Sequence, residues 1–181
     1  MLRLDIPLTA EGWDEARQEF VEPEIKTLQL EHSLVSVSKW ESKWCKPFLS
    51  KDEKTAEETI DYIKCMTITQ NVDPDVYNHL TSENIIAVNK YIEAPMTATT
   101  FSEDKTSKTN REIITAEIIY YWMIAQNIPM KCEKWHLNRL LALVRVCNIK
   151  NAPPKKHSQG DIMRRNAALN EARRKQLNSR G

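Results

Sequence analysis

Glycine is scarce in this sequence. The chain has 181 residues and three glycines, Gly12, Gly160 and Gly181. Phosphate-binding loops need several neighbouring backbone positions without side chains, and these glycines are far apart. A Walker loop, a Rossmann fingerprint and a kinase-type loop are therefore excluded, and no G-x-S-x-G nucleophile elbow is present. Composition thus excludes many enzymes and indicates none, so we expect a protein without enzymatic activity or cofactor.

Long apolar runs and paired cysteines are also missing. The longest apolar run is Ile118–Ala125, and a membrane-spanning helix needs roughly 20 residues. The first residues contain no basic region followed by an apolar stretch, so no secretory signal is predicted. The four cysteines, Cys45, Cys65, Cys132 and Cys147, have no paired spacing and are expected to be buried thiols. We expect a soluble intracellular protein without a membrane partner.

The charges are unevenly distributed along the chain. Residues 151–181 contain eight basic and two acidic side chains, a net charge of +6. Residues 1–150 contain 18 basic and 23 acidic side chains, a net charge of −5. An acidic body with a basic tail is typical of a chain whose tail is an interaction segment.

The fold class predicted from the pattern is mainly α, with a small N-terminal β-ribbon and a separate basic C-terminal helix. Residues 1–6 alternate Leu2, Leu4 and Ile6 with polar side chains, which predicts a strand. Residues 25–30 form a second strand candidate. We expect these two strands to pair as a ribbon.

Helices are predicted after the second strand candidate. Val37, Trp40 and Trp44 share one helical face, although the alternation around Val37 also fits a strand. A capping box at Thr55–Glu58 predicts a helix over 56–69. A short helix is expected after Asp73-Pro74, and another over 82–93.

The second half of the body contains two more predicted helices. The stretch 94–110 is rich in Thr, Ser and Lys and is expected to be a long loop that binds a partner or is disordered. A capping box at Thr109–Glu112 predicts a helix whose stripe holds Ile114, Ile118, Tyr121, Trp122 and Ala125. Because that helix is apolar on nearly every side, we expect a central position or a second partner face. A helix over 135–147 should pair antiparallel with it.

The domain organisation follows from the prolines and the tail. Residues 1–150 are predicted to form the helical body. Residues 151–157 contain Pro153 and Pro154, which bar a helix and indicate a linker. Residues 158–181 are predicted to form a basic helical tail that is marginal in isolation.

Catalytic and metal-binding interpretations find little support. Cys132 and His136 would share a helical face, but a zinc site needs two further ligands. Glu57, Glu58 and Asp61 lie at a helix start, where they offset the helix dipole. His32 and Ser33 are adjacent, but no local signature supports a nucleophile. We therefore predict neither catalytic residues nor a metal site.

Five tryptophans are many for this length, and aromatic side chains are enriched at interface cores. A protein partner or self-association is therefore favoured over nucleic acid. The candidate partner-binding residues are Trp40, Trp44, Tyr121, Trp122, Trp135 and, as electrostatic contacts, Arg164, Arg165, Arg173 and Arg174.

Three stretches of the chain resemble a family of small tailed-bacteriophage proteins. They are Leu30–Phe48, Glu117–Leu141 and the segment Arg164–Lys175, and the resemblance extends from about residue 28 onward. It implies a non-enzymatic tail-assembly chaperone that binds the tape-measure protein or tail tube subunits in the host cytoplasm and leaves before the virion is complete. The family has no catalytic residues to transfer.

Two alternatives come from other classes of protein. One is a structural virion protein of the neck or head–tail connection, which would be found in purified particles. The other is a DNA-binding phage packaging protein, whose affinity would depend on the tail arginines and decrease with salt.

Overall fold

The structure is a computed structural model that describes residues 1–9, 12–14, 19–21, 23–101, 113–152 and 159–177. The chain divides into two compact units, Met1–Asn148 and Ile149–Gly181. The described part is mainly helical with a small antiparallel β element at the N-terminus, which confirms the predicted fold class.

Two antiparallel strand pairs lie near the N-terminus. Strands β1 (Leu2–Pro7) and β4 (Ile25–Leu30) pair so that Leu2 is opposite Leu30 and Pro7 is opposite Ile25. Between them in the sequence, β2 (Gly12–Asp14) pairs with β3 (Glu19–Val21). The β1–β4 ribbon buries one face against the helices, through Leu4, Ile6, Leu28 and Leu30. This burial stabilises a two-stranded ribbon that would be marginal in water alone.

Helices follow the ribbon along the chain. They are α1 (Leu34–Trp44), α2 (Ala56–Met66), a 3-10 helix (Pro74–His79), α3 (Ser82–Glu93), α4 (Ala116–Ala125), a second 3-10 helix (Met130–Lys134) and α5 (Leu137–Asn151). Capping boxes at Ser33, Thr55 and Thr81 fix the starts of α1, α2 and α3. The core contains side chains from the ribbon and from α1 to α5, including Trp40, Ile63, Val88, Met123 and Leu140.

Helix α2 ends earlier than predicted. It stops at Met66, and the Ile68 N–H then donates to the Gln29 carbonyl at 2.8 Å. The Gln29 N–H in turn donates to the Thr69 hydroxyl at 2.8 Å. Residues 67–69 therefore satisfy the open edge of β4, and this long-range pairing outweighs continuation of the helix.

Helices α4 and α5 also differ from the prediction. The predicted capping box at Thr109–Glu112 lies outside the described residues, and α4 begins only at Ala116. Helix α5 begins at Leu137 because the Leu137 N–H donates to the His32 carbonyl at 2.7 Å, with His136 in an isolated bridge to Ser33. Helix α4 packs closely against α1. The expected antiparallel α4–α5 pair stays a prediction.

The structure describes only part of the predicted loop and part of the predicted linker. Ala94–Phe101 contains neither helix nor strand, and the rest of the predicted loop 94–110 lies outside the described residues. Most of the predicted linker 151–157 does so as well, although Asn151 is the last residue of α5. Within the predicted tail, α6 spans Gln159–Leu177, and every side chain described there is exposed.

Candidate functional site

Helix α4 is held in place by a buried carboxylate. Glu41 of α1 is 8% exposed, and its Oε2 accepts the Ala116 N–H at 2.7 Å. Its Oε1 accepts the Phe48 N–H, also at 2.7 Å. Thr115, the residue at the N-cap position of α4, makes no side-chain capping bond. Glu41 thus takes over the capping of α4, and its negative charge suits the positive end of the helix dipole.

The orientation of α4 determines which of its apolar side chains are buried in the core. Ala116, Ile119 and Met123 are fully buried. Tyr121 and Ile124, each 67% exposed, lie on the opposite side with the exposed Ala125. The stripe predicted from the sequence is therefore not the core face, because its members Tyr121 and Ala125 are exposed while Ile119 and Met123 are buried.

We call Tyr121, Ile124 and Ala125 the outer α4 face. The three positions are related by i, i+3 and i+4 and so lie together on one side of the helix. Glu117, the one charged residue of α4, is exposed one turn before Tyr121. Exposed apolar side chains grouped in this way are typical of a protein–protein contact.

A surface cavity of about 430 Å³ lies at the N-terminal end of α4. It is lined by Glu41, Ser42, Cys45, Lys46, Pro47, Ile113, Thr115 and Glu117. Ile113 is 61% exposed there. Glu117 lines the cavity and lies one turn before Tyr121, so the cavity is next to the outer α4 face along the helix and has room for a large side chain.

The predicted aromatic contact residues are distributed over several elements. Trp40 is 1% exposed, and its indole N–H donates to the Glu58 carbonyl at 2.9 Å, so it belongs to the core and offers no surface to a partner. Trp44 is half-buried and donates to Asp61 at 2.9 Å. Trp122 is half-buried against the core, and Arg139 lies 4.2 Å from the ring centre of the half-buried Trp135. Of the predicted aromatic residues, Tyr121 is the most accessible.

The predicted arginines all lie on α6. Arg164, Arg165, Arg173 and Arg174 are exposed. The ammonium of Lys175 pairs with Glu171 one turn earlier at 2.9 Å, which supports the helix locally. The arginines therefore lie in the second unit, and the outer α4 face lies in the first.

Two histidines in the core of the first unit lie close together. The rings of His32 and His136 are 5.1 Å apart, and His32 Nδ1 lies 2.5 Å from the Tyr62 hydroxyl. Burial, and to a lesser extent the neighbouring His136, lowers the pKa of His32 to about 3. Burial also raises the pKa of Tyr62. Both groups are neutral at pH 7, and they link the start of α1 to α2.

His136 has no ring nitrogen left for a metal. Its Nδ1 accepts the Asn138 N–H at 3.3 Å, and its Nε2 therefore donates to the Tyr91 carbonyl at 3.0 Å. The aromatic rings in contact with His136 are those of His32 and Tyr91. Across the described ranges, no three His, Cys, Asp or Glu side chains are grouped as metal ligands would be.

The hydroxyl and thiol groups beside the histidines are already engaged or inactive. A cavity of about 350 Å³ is lined by residues that include Ser33, Ser36 and Cys65. The Ser33 hydroxyl accepts the Ser36 N–H, and the Ser36 hydroxyl donates to the Ser33 carbonyl. Burial raises the pKa of the Cys65 thiol, which disfavours the nucleophilic thiolate. The arrangement caps α1 and presents no activated nucleophile.

Sequence reasoning missed Glu41, although a sign of it was present. Glu41 follows Val37 by four residues and so falls on the same helical face as the buried Val37 and Trp40. A carboxylate in an apolar stripe needs hydrogen-bond donors. The sequence could therefore indicate a buried acceptor, but its two donors, Phe48 and Ala116, are visible only in the fold.

Comparison of this chain with protein-family models, with curated proteins and with solved structures finds no match. None of the described helices is both long enough and apolar enough to cross a membrane.

Proposed function

We propose that this protein is a non-enzymatic tail-assembly chaperone of a tailed bacteriophage, as its family resemblance implies. Its client in this proposal is the tape-measure protein or the tail tube protein, bound in the host cytoplasm while the tail is built. The observation that carries the proposal is the outer α4 face, where Tyr121 and Ile124 are each 67% exposed.

The proposed mode of binding is helix against helix. An amphipathic client helix would place its apolar side chains on the outer α4 face at i, i+3, i+4 and i+7 spacing. One large client side chain would enter the cavity beside Ile113, next to the carboxylate of Glu117. A chaperone of this kind shields apolar helices of its client from aggregation until they are assembled.

Co-expression with the tape-measure and tube proteins of the same phage tests the proposal. We expect capture of a client by the full chain and improved client solubility. Tyr121→Asp with Ile124→Asp should abolish capture, because two carboxylates would be placed in an apolar contact. Ile86→Asp on α3 is the matched control, since Ile86 is 65% exposed on another helix. Capture that survives the α4 pair, or is lost equally in the control, contradicts the proposal.

Removal of residues 151–181 in the same assay separates the two units. Retained capture would locate client binding in the body, and lost capture would assign it to the arginine-rich tail. Mass spectrometry of purified virions distinguishes the chaperone from a structural neck or connector protein, because only the latter remains in the particle.

A further inference from the structure

The arginines of α6 are arranged in two groups along the helix. Arg164 and Arg165 form the first group, and Arg173 and Arg174 form the second. The two groups are nine residues apart, which is two and a half turns and about 13.5 Å along the axis. At 100° per residue, Arg173 lies opposite Arg164 and Arg174 lies opposite Arg165, so the four arginines are spread around the whole circumference of the helix.

This distribution decides between two kinds of anionic partner. A flat acidic protein surface contacts one side of a helix and is matched by basic residues on a single stripe. The α6 arginines form no such stripe, because Arg165 and Arg174 point to opposite sides. A partner with negative charge on both sides of the helix matches them better, and the two walls of a nucleic-acid groove carry phosphates in that way.

We propose that α6 binds duplex DNA by lying in the major groove. That groove is about 12 Å wide and admits an α-helix, so both of its phosphate walls lie beside the sides of the helix. Arginines on one side of α6 contact phosphates of one strand, and arginines on the opposite side contact phosphates of the other strand.

The segment of α6 between the arginine groups has side chains that allow the helix to lie close to the DNA bases. It contains the small residues Ala167, Ala168 and Ala172, and the polar residues Asn166 and Asn170. All of these side chains are exposed. Double-stranded RNA is a poor match, because its major groove is deep and too narrow for side chains to read. Binding directed mainly to phosphates is expected to depend little on base sequence.

The test uses the full chain and a fluorescein-labelled 20-base-pair DNA duplex of mixed sequence, followed by anisotropy at 50 to 200 mM salt. We expect the affinity to decrease linearly with salt on a log–log plot. The triple variant Arg165→Gln, Arg173→Gln, Arg174→Gln should bind at least tenfold more weakly at 50 mM salt. Its slope should be less negative by about 2.7, because three phosphate contacts are removed.

A variant of equal charge is the control. Lys51→Gln, Lys90→Gln and Lys131→Gln remove three exposed lysines of the first unit, and we expect the slope to stay as in the wild type. An equal loss in this control would overturn the proposal, as would the absence of DNA binding at 50 mM salt. So would an RNA duplex that binds as tightly as DNA, or polyglutamate that displaces DNA at equal charge concentration.

DNA binding by α6 does not rest on the proposed client binding. The pair Tyr121→Asp and Ile124→Asp lies in the first unit, so it should abolish client capture and leave the anisotropy titration unchanged. The arginine variant should lose DNA binding alone, so the failure of one proposal can be told from the failure of the other.

Discussion

Glu41 and Ala116 are 75 residues apart in the chain, and the carboxylate of one accepts the backbone N–H of the other at 2.7 Å. The same carboxylate accepts the Phe48 N–H. One buried side chain of α1 therefore fixes both the loop after α1 and the first turn of α4. The orientation of α4, and with it the outer α4 face, depends on this contact.

Glu41→Ala should destabilise the protein by about 2 to 4 kcal/mol, because it leaves two buried N–H groups without acceptors. Urea denaturation measures this free energy of unfolding. Glu41→Gln keeps one acceptor oxygen and should lose less. Glu53→Ala, at an exposed position, is the control and should stay within about 0.5 kcal/mol of the wild type. A change of that small size in Glu41→Ala would show that the contact does not hold α4.

The buried histidines predict a loss of stability in mild acid. The pKa of His32 is lowered to about 3 and that of His136 is also lowered, in each case mainly by burial. As the pH falls below about 6.5, the unfolded chain takes up protons that the folded chain does not, so the free energy of unfolding decreases. The decrease is at most about 1.4 kcal/mol per pH unit for each histidine.

The window from pH 6.5 to 5 isolates this effect. The pKa values of Glu58 and Asp61 are lowered, so the stability that these carboxylates contribute is lost only at lower pH. Urea titrations at four pH values give the slope. His32→Gln should flatten it, because glutamine cannot take up a proton there. Asn89→Gln, at an exposed position without a titratable side chain, should leave it as in the wild type. A flat wild-type profile in this window contradicts the assignment.

The predictable parts of the fold are those encoded by local spacing. The phases of β1 and β4 follow from alternating leucines, and the helical alternative for Val37 to Trp44 is confirmed because α1 spans Leu34–Trp44. The phase of α4 was not predictable, because its residues are apolar on every side and leave the choice to the Glu41 contact. Among the candidate site residues, Tyr121 is accessible and Trp40 is buried in the core. The number of aromatic residues in the sequence does not predict which of them are exposed.

Asn138 should contribute to the C-terminal end of α3. Its side-chain amide donates to the Ile92 carbonyl at 2.9 Å and to the Ala94 carbonyl at 2.8 Å. Asn138→Ala removes both bonds and should cost about 1 to 2 kcal/mol. Asn138→Asp, of nearly equal size, should cost more, since it turns a carboxylate oxygen toward two carbonyl oxygens. Urea denaturation gives the ranking, and an aspartate variant more stable than the alanine variant would contradict this role.

Residues 67–69 pair with β4 through the backbone. Substitutions at Ile68 can therefore separate the contribution of its backbone N–H to stability from that of its side chain. The Ile68 side chain is 50% exposed, while its N–H donates to the Gln29 carbonyl at 2.8 Å. Ile68→Pro removes that donor and should destabilise the protein by about 1 to 3 kcal/mol, since the Gln29 carbonyl loses its partner.

Ile68→Ser keeps the N–H and changes only a half-exposed side chain, so we expect a much smaller effect, about 0.5 kcal/mol. Hydrogen exchange adds a local readout, because the Gln29 N–H, which donates to the Thr69 hydroxyl, should lose protection in the proline variant alone. Equal destabilisation by proline and serine would assign the stability to the side chain. The backbone pairing with β4 would then no longer explain why α2 ends at Met66.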